Sequence, residues 1–385
     1  MSDDFWESAA QADPLWAILS DETKRGRRWD VNAFFATGRR EISLLMYQLR
    51  QLGHPPRPGR ALDFGCGVGR LTQALGALFD EVVGVDVSPT MLRLANHVNR
   101  TPGSVRYVLN DTNDLRQLES GSFDFVYSDI VLQHLPPAAA RAYIEEFLRL
   151  LRFGGITVFQ LTSHRRSPQE AATRPIAMPD DAYRARLQLA EERPQAMHAG
   201  ERREIEIVAE NLSASVWDQA AVGVIRLGNH WLSPAGDMLV QDDGRTSVPG
   251  RLAPSDSARM TLTIEAPPDG GSFTCVLDLV HEGISWFGDK GSTTLEMPIA
   301  VSAGSPVAEA WGTPTPIAEP TFADIHDLLP PAGGAVLAGF PMHGVHHDEV
   351  LELVRKHGGQ AFFVENDERG GPEWQGYRYF VEKLG

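Results

Sequence analysis

The stretch Ala61-Leu62-Asp63-Phe64-Gly65-Cys66-Gly67-Val68-Gly69-Arg70-Leu71 admits few folds. Ala61, Leu62 and Phe64 read as the end of a short apolar strand. Gly65, Gly67 and Gly69 read as a tight turn, where side chains would block the close approach of a ligand. Leu71, Ala74 and Leu75 open a helical period. A strand, a glycine turn and a helix in that order place backbone N–H groups and a helix N-terminus against a bound nucleotide. Glycine turns are common, so the motif alone is weak. It is followed by Glu81-Val82-Val83-Gly84-Val85-Asp86, a second strand ending in an acid. The acid falls about twenty residues on, where a doubly wound α/β unit places the carboxylate that grips ribose hydroxyls.

Taken with three later segments, these motifs resemble the class I S-adenosylmethionine (SAM)-dependent methyltransferases. The matching segments are LDFGCGVG at 62–69, VVGVDVSPTML at 82–92, NDTNDL at 110–115, SFDFVYSDIVLQHL at 122–135 and LLRFGGITVFQL at 150–161. The resemblance implies a Rossmann-like fold, SAM as cofactor and S-adenosylhomocysteine as product. It also implies site roles. Asp63 faces the cationic amino-acid end of SAM; in a dinucleotide enzyme an acid there would repel the pyrophosphate. Gly65, Cys66, Gly67 and Gly69 crowd the methionine part. Asp86 takes the ribose diol, with Val87 and Met91 beside it. Asp111 accepts from the adenine amino group, next to Thr112. Ser128 and Asp129, ending the fourth strand, face cofactor and acceptor. Phe153 stands where the family usually shows proline, in a connection that carries no functional residue.

Along the chain, residues 1–55 are helical, and Phe34, Ile42, Leu45, Met46, Leu49 and Leu52 make an amphipathic pattern. Helices at this place in the family cap the cofactor, so Trp29 and Phe35 are candidate lid and substrate residues; simple packing on the sheet is the competing reading. Residues 60–163 alternate strands near 60–64, 81–86, 105–109, 123–128 and 156–161 with helices near 69–78, 88–99 and 137–152, the pattern of a parallel sheet covered on both faces. Gly154-Gly155 is placed to stop the third helix. Residues 164–200 read as a linker with a helical piece near 180–192. Residues 201–302 alternate in period two between turn signals, which predicts an all-β sandwich of immunoglobulin or fibronectin type. Residues 303–345, rich in Pro, Ala and Gly, read as a second linker. Residues 346–385 read as a helix and two strands, the ending that the first 163 residues lack. The expectation is one methyltransferase domain, 1–163 with 346–385, interrupted by an inserted β module. A separate domain of about forty residues would be too small to hold a core.

The formal net charge of −16 disfavours a nucleic-acid acceptor. Two cysteines, no apolar leader and no membrane-length apolar run predict a soluble cytoplasmic protein. Oligomeric state is not legible. His134 follows the fourth strand, and either serves as a general base, alongside Asp129, or merely hydrogen-bonds nearby backbone. Met342, His343 and His346 lie in the returning linker and are candidate substrate contacts. His343, His346 and His347 lack the carboxylate or thiolate partners of a metal site, so no metal is expected. The predicted reaction is methyl transfer to a small molecule or a saccharide, at oxygen. The saccharide option rests on Trp217, Trp231, Trp286 and Phe287, which either stack on sugars or fill the β core. The alternatives are a SAM-binding scaffold without turnover and a protein methyltransferase that reads its partner through the β module.

Overall fold

The computed structural model describes residues 3–167, 177–219, 224–234, 236, 238–240, 244–248, 250–267, 270–302, 325, 328–329 and 339–385. The chain forms two compact units, Met1–Ser167 with Pro314–Gly385, and Pro168–Thr313.

In the first unit, β1 (Arg60–Phe64), β2 (Glu81–Asp86), β3 (Val105–Leu109), β4 (Phe123–Ser128) and β5 (Leu151–Arg165) are parallel. β6 (Gly359–Asp367) and β7 (Trp374–Lys383) form an antiparallel hairpin, and β7 lies antiparallel on β5. The order across the sheet is β6-β7-β5-β4-β1-β2-β3. Inner strands are apolar throughout because both faces are covered. Leu62, Val83, Phe123 and Val126 are fully buried, and each contributes roughly 1.5–3 kcal/mol of transfer free energy.

The helices are α1 (Asp3–Ala12), α2 (Pro14–Ile18), α3 (Val31–Gln51), α4 (Arg70–Leu75), α5 (Pro89–His97), α6 (Pro137–Leu150) and α7 (His347–Lys356). On one face, Ile144, Phe147 and Leu148 of α6 pack with Val350 and Val354 of α7. On the other, Ile42, Leu45 and Leu49 of α3 pack with Leu71 and Leu75 of α4. A third cluster joins α1 and α2, through Ala9, Ala10 and Leu15, to Phe34 and Phe35 of α3 and Leu94 of α5. Side-chain caps set the starts: Asp30 accepts from Ala33 N, and Ser88, followed by Pro89, from Met91 N. β1 pairs with β2 on one side and with β4 on the other, so the winding reverses there. That switch point opens a crevice beyond the carboxyl ends of the strands.

Three expectations need correction. α6 ends at Leu150, before Gly154-Gly155, and β5 already pairs at Leu151↔Phe123. The glycines instead sit inside β5, where the register shifts between Phe123 and Phe125. The helical piece near 180–192 is a 3-10 turn, Asp180–Ala182, followed by a strand, Ala185–Leu189, paired antiparallel with Arg202–Asn211. Buried Ala185 and Leu187 alternate with exposed neighbours there, but charged flanks mask the period. The stretch read as a first linker thus supplies strands to the β unit, including Ala196–His198 beside Leu295–Ser302. Most of the second linker lies outside the described residues. Of those described, Ile325 and Leu329 are buried against the α1–α3 cluster.

In the second unit, Ile225–Leu232, Gly271–His281 and Leu295–Ser302 form the middle of one sheet, and Ser257–Glu265, Arg202–Asn211 and Ala185–Leu189 form another. Ile205, Ile207 and Ala209 are buried from one strand, and Cys275, Leu277 and Leu279 from another. Trp217, Trp231 and Phe287 are at most 1% exposed. They are core residues, which removes them as a sugar-stacking surface. Of the four aromatics, Trp286 alone is half-buried, under the Arg245 guanidinium at 4.2 Å.

Candidate active site

The β1–α4 turn is tied to β2. Gly65 N and Cys66 N donate to Val85 O at 2.8 and 3.0 Å. Gly65 and Gly67 have φ of 77° and 53°. A Cβ on Gly65 would strike Val131, and one on Gly67 would strike Ile18. These two positions therefore need glycine for both backbone conformation and space. The turn borders a cavity of about 1030 Å³ at the switch point, at the top of the ~300–1,000 Å³ range of small-molecule sites.

Asp86 closes β2. Its Oδ2 accepts from Gly67 N at 2.8 Å and its Oδ1 from Ser88 N at 2.9 Å. Burial raises its pKa, and those backbone N–H groups partly offset the rise. Asp63 sits behind the turn, 1% exposed, with Thr72 Oγ1 donating at 2.6 Å. Burial pushes its carboxyl up to about 7, against the pull of Thr72 and Arg70. Ser128 is fully buried at the end of β4, and its hydroxyl has no hydrogen-bond partner among the described residues. Asn110 fixes the next loop by donating to Thr112 O at 3.1 Å and to Tyr143 Oη at 3.0 Å. A cradle that any Cβ would fill, bordered by Asp86 and Asp111, suits a ligand with a cationic sulfonium, a ribose and an amino-bearing base. The residues fit SAM.

Another part of the cavity lining follows β4. Asp129 Oδ2 accepts from Arg369 Nη1 at 2.6 Å, and its side chain is 1% exposed. Burial raises its pKa, but Arg369 and Arg378 outweigh that and hold it below the usual carboxylate range. It is a salt-bridge member and a poor base. Ile130 follows at φ 55°, left-handed backbone that β-branched residues rarely adopt. Strain of this kind gathers at functional sites. His134 Nδ1 lies 2.7 Å from the Pro341 carbonyl, which can only accept. The proton therefore sits on Nδ1, and Nε2 keeps its lone pair. The Gln133 amide lies 3.3 Å from Nε2, while its oxygen accepts from Gln160 at 3.0 Å. Burial lowers the imidazole pKa; the Pro341 carbonyl opposes this, and His343 lowers it a little further.

Of the residues singled out from sequence, Gly65, Cys66, Gly67, Asp86, Val87, Met91, Asp111, Thr112, Asp129, His134 and Met342 line the cavity. Asp63, Gly69 and Ser128 do not. Gly69, at φ 83°, starts α4 where a Cβ would strike Tyr107. Trp29 and Phe35 are corrected from lid to packing: Phe35 is 1% exposed in the helical cluster, and Trp29 packs beside it with Nε1 donating to Leu19 O. His343 contributes backbone, its N donating to Gln133 O at 2.8 Å. His346 is exposed, with its ring over His164. Sequence reasoning missed Trp6, Ile18, Phe340 and Arg369, which also line the cavity. They come from distant segments, and no local pattern marks them.

Residues 62–159 match a family model described as a methyltransferase domain. The ubiquinone biosynthesis O-methyltransferase of Xanthomonas campestris pv. campestris is 35% identical over 132 residues, 34% of this chain and 52% of that protein. The protein of the same name from Thiobacillus denitrificans is 31% identical over 134 residues, 34% of this chain and 56% of that one. The chain thus spans about half the length of the curated relatives it matches. Among solved structures, the CcbJ methyltransferase from Streptomyces caelestis aligns over 100% of both chains at 12% identity, with a TM-score of 0.41. The sheet and its glycine turn define a Rossmann-like nucleotide-binding unit. Within it, residues 62–159 are a methyltransferase domain of the class I SAM-dependent kind.

Proposed function

We propose that the chain transfers a methyl group from SAM to an oxygen of a small-molecule acceptor and releases S-adenosylhomocysteine. One observation carries this reading: the glycine cradle, Asp86 and His134, whose Nδ1 is held by the Pro341 carbonyl, line the same cavity. The O-methyltransferase names of the relatives support oxygen as the target.

In this reading Gly65 and Gly67 admit the methionine part, Asp86 accepts from the ribose hydroxyls, and Asp111 takes the adenine amino group. Bound SAM supplies an electrophilic methyl carbon whose bond to sulfur breaks with the pair going to sulfur. Nε2 of His134 takes the hydroxyl proton, and the Pro341 carbonyl holds the ring in the competent tautomer. The enclosing walls hold the acceptor in line, which supplies much of the rate.

We also read the chain as one methyltransferase domain, 1–163 with 346–385, interrupted by the β module, and as a cytoplasmic protein. Cys66 and Cys275, both free and buried, support a reducing compartment. No described helix is long and apolar enough to cross a membrane.

Calorimetric titration of SAM and S-adenosylhomocysteine into wild type and Asp86→Ala tests the cofactor site. Micromolar binding, about −8 kcal/mol, should be lost in the variant. Equal binding by both proteins would remove Asp86 from the site. Binding without S-adenosylhomocysteine release from any acceptor would leave the scaffold reading.

A further inference from the structure

His134 belongs to a row of buried hydrogen bonds that starts in β5. Gln160, within β5 and fully buried, donates from Nε2 to Gln133 Oε1 at 3.0 Å. The Gln133 side chain, also buried, brings its own Nε2 to 3.3 Å from His134 Nε2. His134 Nδ1 donates to the Pro341 carbonyl at 2.7 Å. That carbonyl sets the direction of the whole row. It can only accept, so Nδ1 carries the proton, Gln133 donates to the bare Nε2, and Gln160 donates to Gln133.

The other end of the row is not anchored. Gln160 Oε1 is buried and has no hydrogen-bond partner among the described residues. Such atoms are rare in folded proteins and call for a reason. The two ends of a glutamine amide have nearly the same shape. A half-turn of each amide therefore exchanges N and O within the same space, and no bond at Gln160 Oε1 opposes it. The β6–β7 hairpin presents glycine to both amides. A Cβ on Gly370 would lie 3.4 Å from Gln133 Oε1, and one on Gly376 would lie 3.7 Å from Gln160 Nε2.

The inverted row suits a different imidazole. A second proton, on Nε2, would now meet the Gln133 N–H, donor against donor. With both amides turned, Gln133 Oε1 accepts from that proton, and Gln160 Oε1 accepts from Gln133. Trp6 and Phe340 face the ring at 5.2 and 5.9 Å and carry no charge. Asp129 is committed to Arg369 at 2.6 Å. The groups that act on the charge of His134 are the Pro341 carbonyl and His343, with no carboxylate among them. The amides are thus the groups placed to receive the second proton.

We propose that Gln133 and Gln160 are positioning residues that invert together when His134 takes a proton. At rest they hold the ring neutral. When Nε2 takes the acceptor hydroxyl proton, the O–H pair stays on the acceptor oxygen, and the turned amides hold the imidazolium until its proton passes to water. This deepens the methyltransferase reading and rests on it.

The test needs no acceptor. The full chain, labelled with ¹⁵N in glutamine and histidine and saturated with S-adenosylhomocysteine, is titrated by NMR. The neutral ring should carry its proton on Nδ1. The side-chain amide signals of Gln133 and Gln160 should shift between about pH 5 and 8, with the same midpoint as His134. Gln160→Met lacks the amide, and the row is worth more to a charged ring than to a neutral one. That variant should lower the proton affinity of His134 by about tenfold, one pH unit, and keep its affinity for S-adenosylhomocysteine, which also reports that it folds. Amide signals that stand still while His134 titrates would overturn the proposal. So would a proton on Nε2 of the neutral ring, a ring that stays neutral throughout, or an unchanged midpoint in Gln160→Met. The base reading fails on a different result, undiminished turnover by His134→Gln. Wild type that binds no S-adenosylhomocysteine would overturn the methyltransferase reading, and this proposal with it.

Discussion

Asp63 and His134 show how burial sets chemistry one side chain at a time. Burial raises the Asp63 pKa to about 7, from an ordinary value of 3.8. The folded protein holds that proton more tightly than the unfolded chain does. Stability from this group is therefore fully present below about pH 4 and is lost as pH rises to about 7. Asp63→Asn removes the titration. The melting temperature of Asp63→Asn minus that of wild type should increase across this window by several degrees, since 1 kcal/mol moves Tm by roughly 2–4 °C in a domain of this size. Scanning fluorimetry in matched buffers checks this, and a gap that ignores pH would refute it. For His134, burial lowers the pKa below its ordinary 6.5, so the ring is neutral at pH 7. If it is the base, kcat/KM should rise with pH to a point below 6.5 and then stay level. His134→Gln should lose about 10²–10⁴-fold in turnover while SAM affinity stays near wild type. Undiminished turnover would sink the assignment.

The β6–β7 hairpin ties the end of the chain to the end of β4. Arg369, in the hairpin loop, reaches Asp129 at 2.6 Å and also pairs with Asp367. Arg378, within β7, lies 4.0 Å from the other oxygen of Asp129. The Asp129 side chain is buried, whereas Arg369 is exposed. Arg369→Ala should destabilise by about 1–3 kcal/mol, because the buried carboxylate then keeps only Arg378 nearby among the described residues. Adding Asp129→Asn should restore much of the loss. Urea unfolding of the single and double variants reads the coupling, and strict additivity would mean the pair is independent.

For the molecule as a whole, the late hairpin completes what the early motifs begin. β7 covers the edge of β5, with Phe380 opposite Val158 and Tyr379 opposite Phe159. Val158 and Phe159 are fully buried. Removing residues 346–385 leaves every motif of the matched region intact, yet it bares this edge and the faces under α7. Such a truncation should aggregate and lose SAM binding. A monodisperse truncation that still binds SAM would show that the hairpin is dispensable. Each described sheet lies wholly within one of the two units. Calorimetry of the full chain should therefore resolve two unfolding transitions, with S-adenosylhomocysteine raising only one of them.

The glycine turn and Asp86 were legible because their chemistry is local: backbone conformation and strand ends are encoded within a few residues. The alternation of strands and helices over 60–163 was legible for the same reason, since hydrophobic period is a property of neighbours. The strand at 185–189 was not, because charged residues around Ala185 and Leu187 blur a period that pairing with 202–211 enforces. Nor was the fate of the aromatics. Composition could not tell Trp217, buried in the β core, from Trp6, set beside His134. Local order along the chain is thus enough to specify the sheet, the cofactor turn and the acids around it. The aromatic corner of the cavity is a product of packing, where Trp6, His134 and Phe340 meet from segments far apart in the chain. Contacts at such separations depend on how whole elements fit together, and no local pattern carries that information.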